Sequence, residues 1–122
     1  MKLKIFKEQD FSYTLRTLFN KEVGCIDAVC SNNQVEIIRF CVAVKYRGHN
    51  KRYGKQLLDC IIADTTNNNI NYILVCPKAE ELYDNVKQME LSDLYRKYSN
   101  LGFKFNDIER LRAFGNMMRL DL

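Results

Sequence analysis

A chain of 122 residues and 14.4 kDa has room for one domain built on a single two- or three-layer core, and none for a second. Its 47% hydrophobic and 28% charged residues exclude a disordered chain, and no unbroken apolar run approaches the ~20 residues of a membrane-spanning helix. The net charge of +4 is mild, but Lys45, Arg47, Lys51, Arg52 and Lys55 concentrate it in one short segment.

Lys2 to Lys7 alternates well enough for an edge strand. Tyr13 to Phe19, Val23 to Cys30 and Val35 to Val44 read as three further strands joined by polar turns at residues 20–22 and 31–33, an antiparallel meander. Phe11, Leu15, Leu18 and Phe19 also fit a helical stripe, and strand is preferred there. A basic loop follows, and Gly54 opens a 3.6-period pattern of Leu57, Leu58, Ile61 and Ile62 that predicts a helix to about Ala63. Asp64 to Asn69 is expected to stop it. Ile70 to Val75 has the nearly continuous apolar character of a strand buried on both faces, ended by Pro77.

Ala79, Leu82, Tyr83 and Val86 then sit at helical spacing, and a second helical run carries Leu91, Leu94, Tyr95 and Tyr98, with Ser92 as its N-cap and Gly102 as its stop. Phe103 to Phe105 and Leu111 to Leu122 close the chain, the latter as a hairpin turning near Gly115 and Asn116. This order predicts one α+β domain over residues 1–122: a mixed, mainly antiparallel twisted sheet flanked by helices, with one helix crossing over between the strands that hold a ligand.

The amino terminus has no extended apolar region of the secretory kind, so a cytoplasmic or nuclear location is expected. The cysteines Cys25, Cys30, Cys41, Cys60 and Cys76 are odd in number, lack a Cys-x-x-Cys pair and lie mostly inside apolar patterns, so they read as reduced core thiols. With His49 as the one histidine, neither a metal site nor a disulfide framework is expected.

The order strand, basic loop, helix start makes a place for an anion. Unpaired N–H groups in a helix's first turn point outward, the dipole adds partial positive charge, and Lys51, Arg52 and Lys55 bring formal charge to the same spot. A pyrophosphate suits it. Tyr46 and Tyr53 interleaved with these cations also suit a nucleic-acid backbone with stacked bases, although the charge sits in one loop and not along a stripe, which disfavours that partner.

Three segments in order resemble the GNAT superfamily of acetyl-coenzyme A-dependent N-acetyltransferases. His49-Asn50-Lys51-Arg52-Tyr53-Gly54 is similar to that family's Gln/Arg-x-x-Gly-x-Gly/Ala loop, and its surroundings from Asn50 to Asp59 are similar to a segment of MYST-type histone acetyltransferases. Leu94 to Phe103 resembles the family's helix ending in Tyr-x-x-x-Gly-Phe, and Met117 to Leu122 is similar to the last strand of many members. Gly24 falls where members often carry Val-Gly. The likeness covers roughly Tyr13 to Leu122. His49 stands where Gln or Arg is usual and Arg52 where the first Gly stands; a positive φ there would cost a side chain ~1–2 kcal/mol. Only about Glu8 to Ser12 is available for the helices that usually separate the first two strands, so much of an acceptor-binding lid is missing and a second copy of the chain is a natural way to complete the site.

The resemblance implies acetyl-coenzyme A as donor and an amine as acceptor, tilted by the loop toward a protein amino group over a small amine or polyamine. The backbone of Val42, Ala43 and Val44 would pair with the pantetheine arm, an N–H near Val44 would polarise the thioester, and the N–H groups of His49, Asn50, Lys51, Arg52, Tyr53, Gly54 and Lys55 would hold the pyrophosphate. Tyr98 stands at the family's general-acid position; by spacing alone it reads as a core aromatic. Glu36 is the candidate base, expected on one face with Ile38, Phe40, Val42 and Val44, its bland reading being a solvated carboxylate. Cys41, on the opposite face, is not expected to act as a nucleophile. A coenzyme-binding regulatory module without catalysis is the competing reading.

Overall fold

The computed structural model describes residues 3–47, 52–78, 83, 90–105 and 117–122. Seven strands form one sheet in the order β1-β2-β3-β4-β5-β7-β6. β1 (Lys4–Gln9), β2 (Ser12–Arg16), β3 (Glu22–Ser31) and β4 (Gln34–Val42) make the expected antiparallel meander. Helix α1 (Tyr53–Asn67) then crosses over to β5 (Tyr72–Val75), which runs parallel to β4. Helix α2 (Leu91–Asn100) leads to β6 (Lys104–Phe105), and β7 (Met118–Asp121) inserts between β5 and β6, antiparallel to both.

Tyr13 and Leu15, two residues apart, both join the core cluster with Phe11 before them, the spacing of a strand and not of a helix. The strand is shorter than the sequence suggests. Thr17 accepts from Asn20 N–H at 2.9 Å and donates to Lys21 carbonyl at 3.0 Å, closing a loop that leaves Leu18 and Phe19 exposed at its tip.

α1 is a full turn longer than predicted. Asp64 and Thr65, read as a helix stop, are buried inside it. Their polar atoms are satisfied: Asp64 Oδ2 accepts from the Phe11 N–H at 3.0 Å and the Tyr13 hydroxyl at 2.7 Å, and the Thr65 hydroxyl donates to the Ile61 carbonyl at 2.7 Å. Leu57, Leu58 and Ile61 on the inner stripe are fully buried, in one cluster with Leu15, Ile26, Val35, Ile73 and Met118.

α2 begins one residue before Ser92, with Glu90 as its N-cap, and ends as expected at Gly102, whose φ of +103° suits glycine and directs Phe103 N–H to the Tyr98 carbonyl at 3.1 Å. Ala79, Leu82, Val86 and the turn at Gly115 and Asn116 lie outside the described residues; Tyr83 sits in a bend and donates to Glu22 Oε2 at 2.6 Å.

The cysteines need correcting. Cys25 and Cys41 are buried, Cys60 is half-buried, and Cys30 and Cys76 are exposed, because β3 runs past the layer that covers its first half and Cys76 follows the end of β5. Among the described residues no helix is long and apolar enough to cross a membrane, and no cluster of His, Cys, Asp or Glu could hold a metal ion.

Candidate active site

β4 and β5 pair only over Val35–Ile37 and Ile73–Val75. Beyond that the strands part. The cause lies in β4: its register with β3 passes from Arg39 opposite Asp27 to Ile37 opposite Ala28, leaving Ile38 as an extra, bulged residue. The gap is walled by Ile38 and Phe40 on one side, Val75, Cys76 and Lys78 on the other, and Tyr98.

Adjoining cavities carry this gap toward the start of α1. The largest of the run, about 320 Å³, is lined by Phe40, Val42, Arg47, Arg52, Gly54, Lys55 and Lys97, and a narrower one beside Phe40, Val42, Leu94, Tyr98 and Leu101 links the two. The result is a trough from a helix N-terminus to a strand gap.

At the α1 end, Arg52 is the N-cap residue and adopts the left-handed region, with φ 52° and ψ 46°. The conformation that glycine would take without cost is thus held by a side chain. Its carbonyl accepts from the Gln56 N–H at 3.1 Å, so the helix begins there, with no acidic residue in its first turn. Gly54 faces the cavity, and a Cβ on it would meet Phe40 Cζ at an ordinary 3.7 Å; the space it leaves is ligand space and not a steric necessity of the fold. Tyr53 turns its ring into the core and offers the site only backbone. Lys55 also pairs with Asp59 one turn on. His49, Asn50 and Lys51 lie outside the described residues.

The strand predicted to reach Val44 stops at Val42, and Val44–Tyr46 form a single 3-10 turn. The Ala43 N–H donates to Val23 carbonyl at 2.8 Å and the Ala43 carbonyl accepts from Tyr46, so Ala43 faces β3 and the turn, not the gap. Alternation then puts the amides of Phe40 and Val42 on the open edge of β4. Of the three strand-end candidates, Val42 lines the trough; Ala43 and Val44 do not line it. The Val42 carbonyl accepts from Arg47 Nε at 2.5 Å, which fixes that guanidinium at the trough wall, where Nη2 also reaches the Cys41 sulfur at 3.9 Å.

Tyr98 is buried, edge-on to Phe40 at 6.1 Å and to Phe103 at 5.5 Å between ring centroids. It is both a core aromatic and a wall of the trough and gap. Glu36 is not brought to it. The bulge at Ile38 shifts the alternation by one, so Val35 and Ile37 join the core face of Phe40 and Val42, and Glu36, paired with Val29 and Leu74, points to the other side of the sheet.

Two lining residues escape a reading by motif. Arg47 lies in the charged segment but ahead of the loop pattern. Lys97 is exposed as a residue, yet atoms around its ammonium and the Arg47 guanidinium push its pKa below the ordinary lysine value. Its position three residues after Leu94 and four before Leu101, both trough walls, is the signal that could have found it.

No protein-family model matches the chain, and no curated protein matches its sequence. Solved structures do. An acetyltransferase of the GNAT family from Staphylococcus aureus Mu50 superposes with a TM-score of 0.68 at 21% identity, over 91% of this chain and 66% of that one. An acetyltransferase from Streptococcus agalactiae gives 0.68 at 18%, over 91% and 66%. A GNAT family acetyltransferase from Elizabethkingia anophelis, with acetyl-CoA bound, gives 0.62 at 16%, over 91% and 75%. The chain spans about two thirds of the length of the first two. Its fold is therefore the GNAT fold, as the sequence implied.

Proposed function

We propose that the chain is an acetyl-CoA-dependent N-acetyltransferase that moves the acetyl group to an amine by direct attack in a ternary complex. The observation that carries this is the continuous trough from the cationic N-terminus of α1 to the gap between β4 and β5, where Tyr98 stands. A donor with a charged diphosphate at one end and a thioester at the other matches a trough in which Arg47, Arg52, Lys55 and Lys97 gather at the α1 end. The acetyl-CoA bound to the similar Elizabethkingia protein supports the same donor.

In this reading the first-turn N–H groups of α1, with Arg52, Lys55 and Lys97, hold the diphosphate. The open-edge amides of Phe40 and Val42 pair with the pantetheine arm and place the thioester at the gap. The amine nitrogen then bonds to the carbonyl carbon, the C–S bond breaks, and the Tyr98 phenol gives its proton to the departing thiolate; the proton shed by the nitrogen leaves through water and restores the phenol. The resident backbone N–H groups near the bulge are the donors for the developing oxyanion.

Glu36 does not join Tyr98 at the gap, and a water relay takes the role of base. A coenzyme-binding module without catalysis is favoured by one observation, the strained side chain at Arg52. Titration calorimetry with acetyl-CoA, paired with chromatographic detection of released CoA over an amine panel, tests both readings. Heat without CoA release supports the silent module; absence of heat overturns both.

A further inference from the structure

We infer that Arg47 selects the donor: its guanidinium bonds the strand-edge carbonyl that the pantetheine arm needs, and yields it only to a donor whose phosphate takes the guanidinium in exchange. This deepens the acetyl-transfer reading and rests on it. The bond from the Ala43 N–H to the Val23 carbonyl makes those two residues a hydrogen-bonded pair. The next pair, Gly24 and Val42, is then not one, and Val42 turns both its N–H and its carbonyl away from β3. β5 pairs with β4 no further along than Ile37. The Val42 carbonyl therefore lies on the open edge, where it accepts from Arg47 Nε at 2.5 Å. An arm laid along this edge brings its own amide N–H to the same oxygen and meets the guanidinium there.

An exchange needs a second place for the guanidinium. The Arg47 N–H donates to the Val44 carbonyl at 3.1 Å, closing the 3-10 turn, so the backbone is anchored and the change is one of side-chain rotamer. The cavity that Arg47 lines also holds Arg52, Gly54 and Lys55, the place of the diphosphate in this reading, and Lys97. Burial and then the Arg47 charge hold Lys97 below the ordinary lysine pKa, with no carboxylate contributing. A phosphate between these two cations answers both, and it replaces a bond from a cation to a neutral carbonyl with one from a cation to an anion, the stronger kind. A pantetheine thioester without phosphate has nothing to give in return and must displace the Arg47 bond uncompensated.

The test is titration of wild type and Arg47→Met with CoA, phosphopantetheine and pantetheine, by calorimetry and, for the weaker ligands, by NMR. Arg47→Met should bind pantetheine about threefold or more tighter, because the edge is clear, and both phosphorylated ligands about threefold or more weaker, so that the preference for CoA over pantetheine falls by about tenfold or more. In wild type the assigned Arg47 Nε–H resonance should shift on adding CoA or phosphopantetheine, a readout that does not depend on the variant. Changes of one sign for all three ligands, no change in any, phosphopantetheine following pantetheine, or an Nε–H resonance unmoved by saturating CoA overturns this inference alone. Failure of CoA to bind wild type overturns the transfer reading and this one with it.

Discussion

Replacing Arg52 separates two roles that one residue holds at the head of α1. Its φ of +52° costs an L side chain about 1–2 kcal/mol, and glycine would remove that cost while adding about 0.4–1 kcal/mol of unfolded-state entropy. Arg52→Gly should therefore be more stable than Arg52→Ala, which keeps a Cβ, by about 1 kcal/mol, or roughly 3–6 °C in Tm for a domain of this size. Both variants lose the guanidinium from the trough. A charge-assisted hydrogen bond to phosphate contributes about 1.5–3 kcal/mol, so both should bind CoA some 10- to 100-fold more weakly. Thermal melts and calorimetry on the pair of variants read the two effects apart. If the variants melt together, the left-handed conformation is not a cost; if CoA affinity stays within about twofold of wild type, the guanidinium does not touch the diphosphate.

Tyr98→Phe keeps both edge-on ring contacts, so it should leave the acetyl-CoA Kd unchanged while lowering kcat by about 100-fold or more; an unchanged kcat would deny the phenol its role as acid. Gly54→Asp sets a carboxylate against Phe40 in the trough and should abolish CoA binding in calorimetry with little change in Tm, since the added Cβ meets only ordinary contacts; retained affinity would place the diphosphate elsewhere. Lys97 titrates below the ordinary lysine value in the free protein, and a diphosphate beside it raises that pKa. The attraction is complete below the free-state pKa and is lost as pH rises through it, so CoA affinity should fall between neutral pH and 10.5. Lys97→Met should flatten that slope; a wild-type slope that survives in the variant removes Lys97 from the site.

The meander, the crossover helix and the final strand pair were legible because their apolar periods differ, two in β2 to β4 and 3.6 in α1. What was not legible depends on partners distant in sequence. Asp64 and Thr65 look like helix breakers until Phe11 and Tyr13, more than fifty residues away, supply the donors that let the carboxylate sit inside a helix. Strict alternation put Glu36 on the face of Phe40, and one extra residue at Ile38 reversed it. The loop motif located the cationic helix start, including the positive φ anticipated at Arg52. It could not locate Lys97, whose only claim on the site is that α2 lies across the trough.

The same long-range contact explains how the β1–β2 hairpin holds its turn. β1 ends at Gln9 and β2 starts at Ser12, so the two-residue turn between them leaves no room for a covering helix. That turn needs Phe11 at φ +64°, a strained conformation for a bulky residue, and Tyr13 carries its hydroxyl into the core beside Leu15. Asp64 offsets both: it takes the Phe11 N–H and the Tyr13 hydroxyl, with Lys7 Nζ 3.9 Å from its other oxygen. Burial, then the bond to Asp64, pushes the Tyr13 phenol far above its usual pKa, so it remains a donor at any ordinary pH. α1 thereby lines the trough with its first turn and, from its last turns, pins the β1–β2 hairpin.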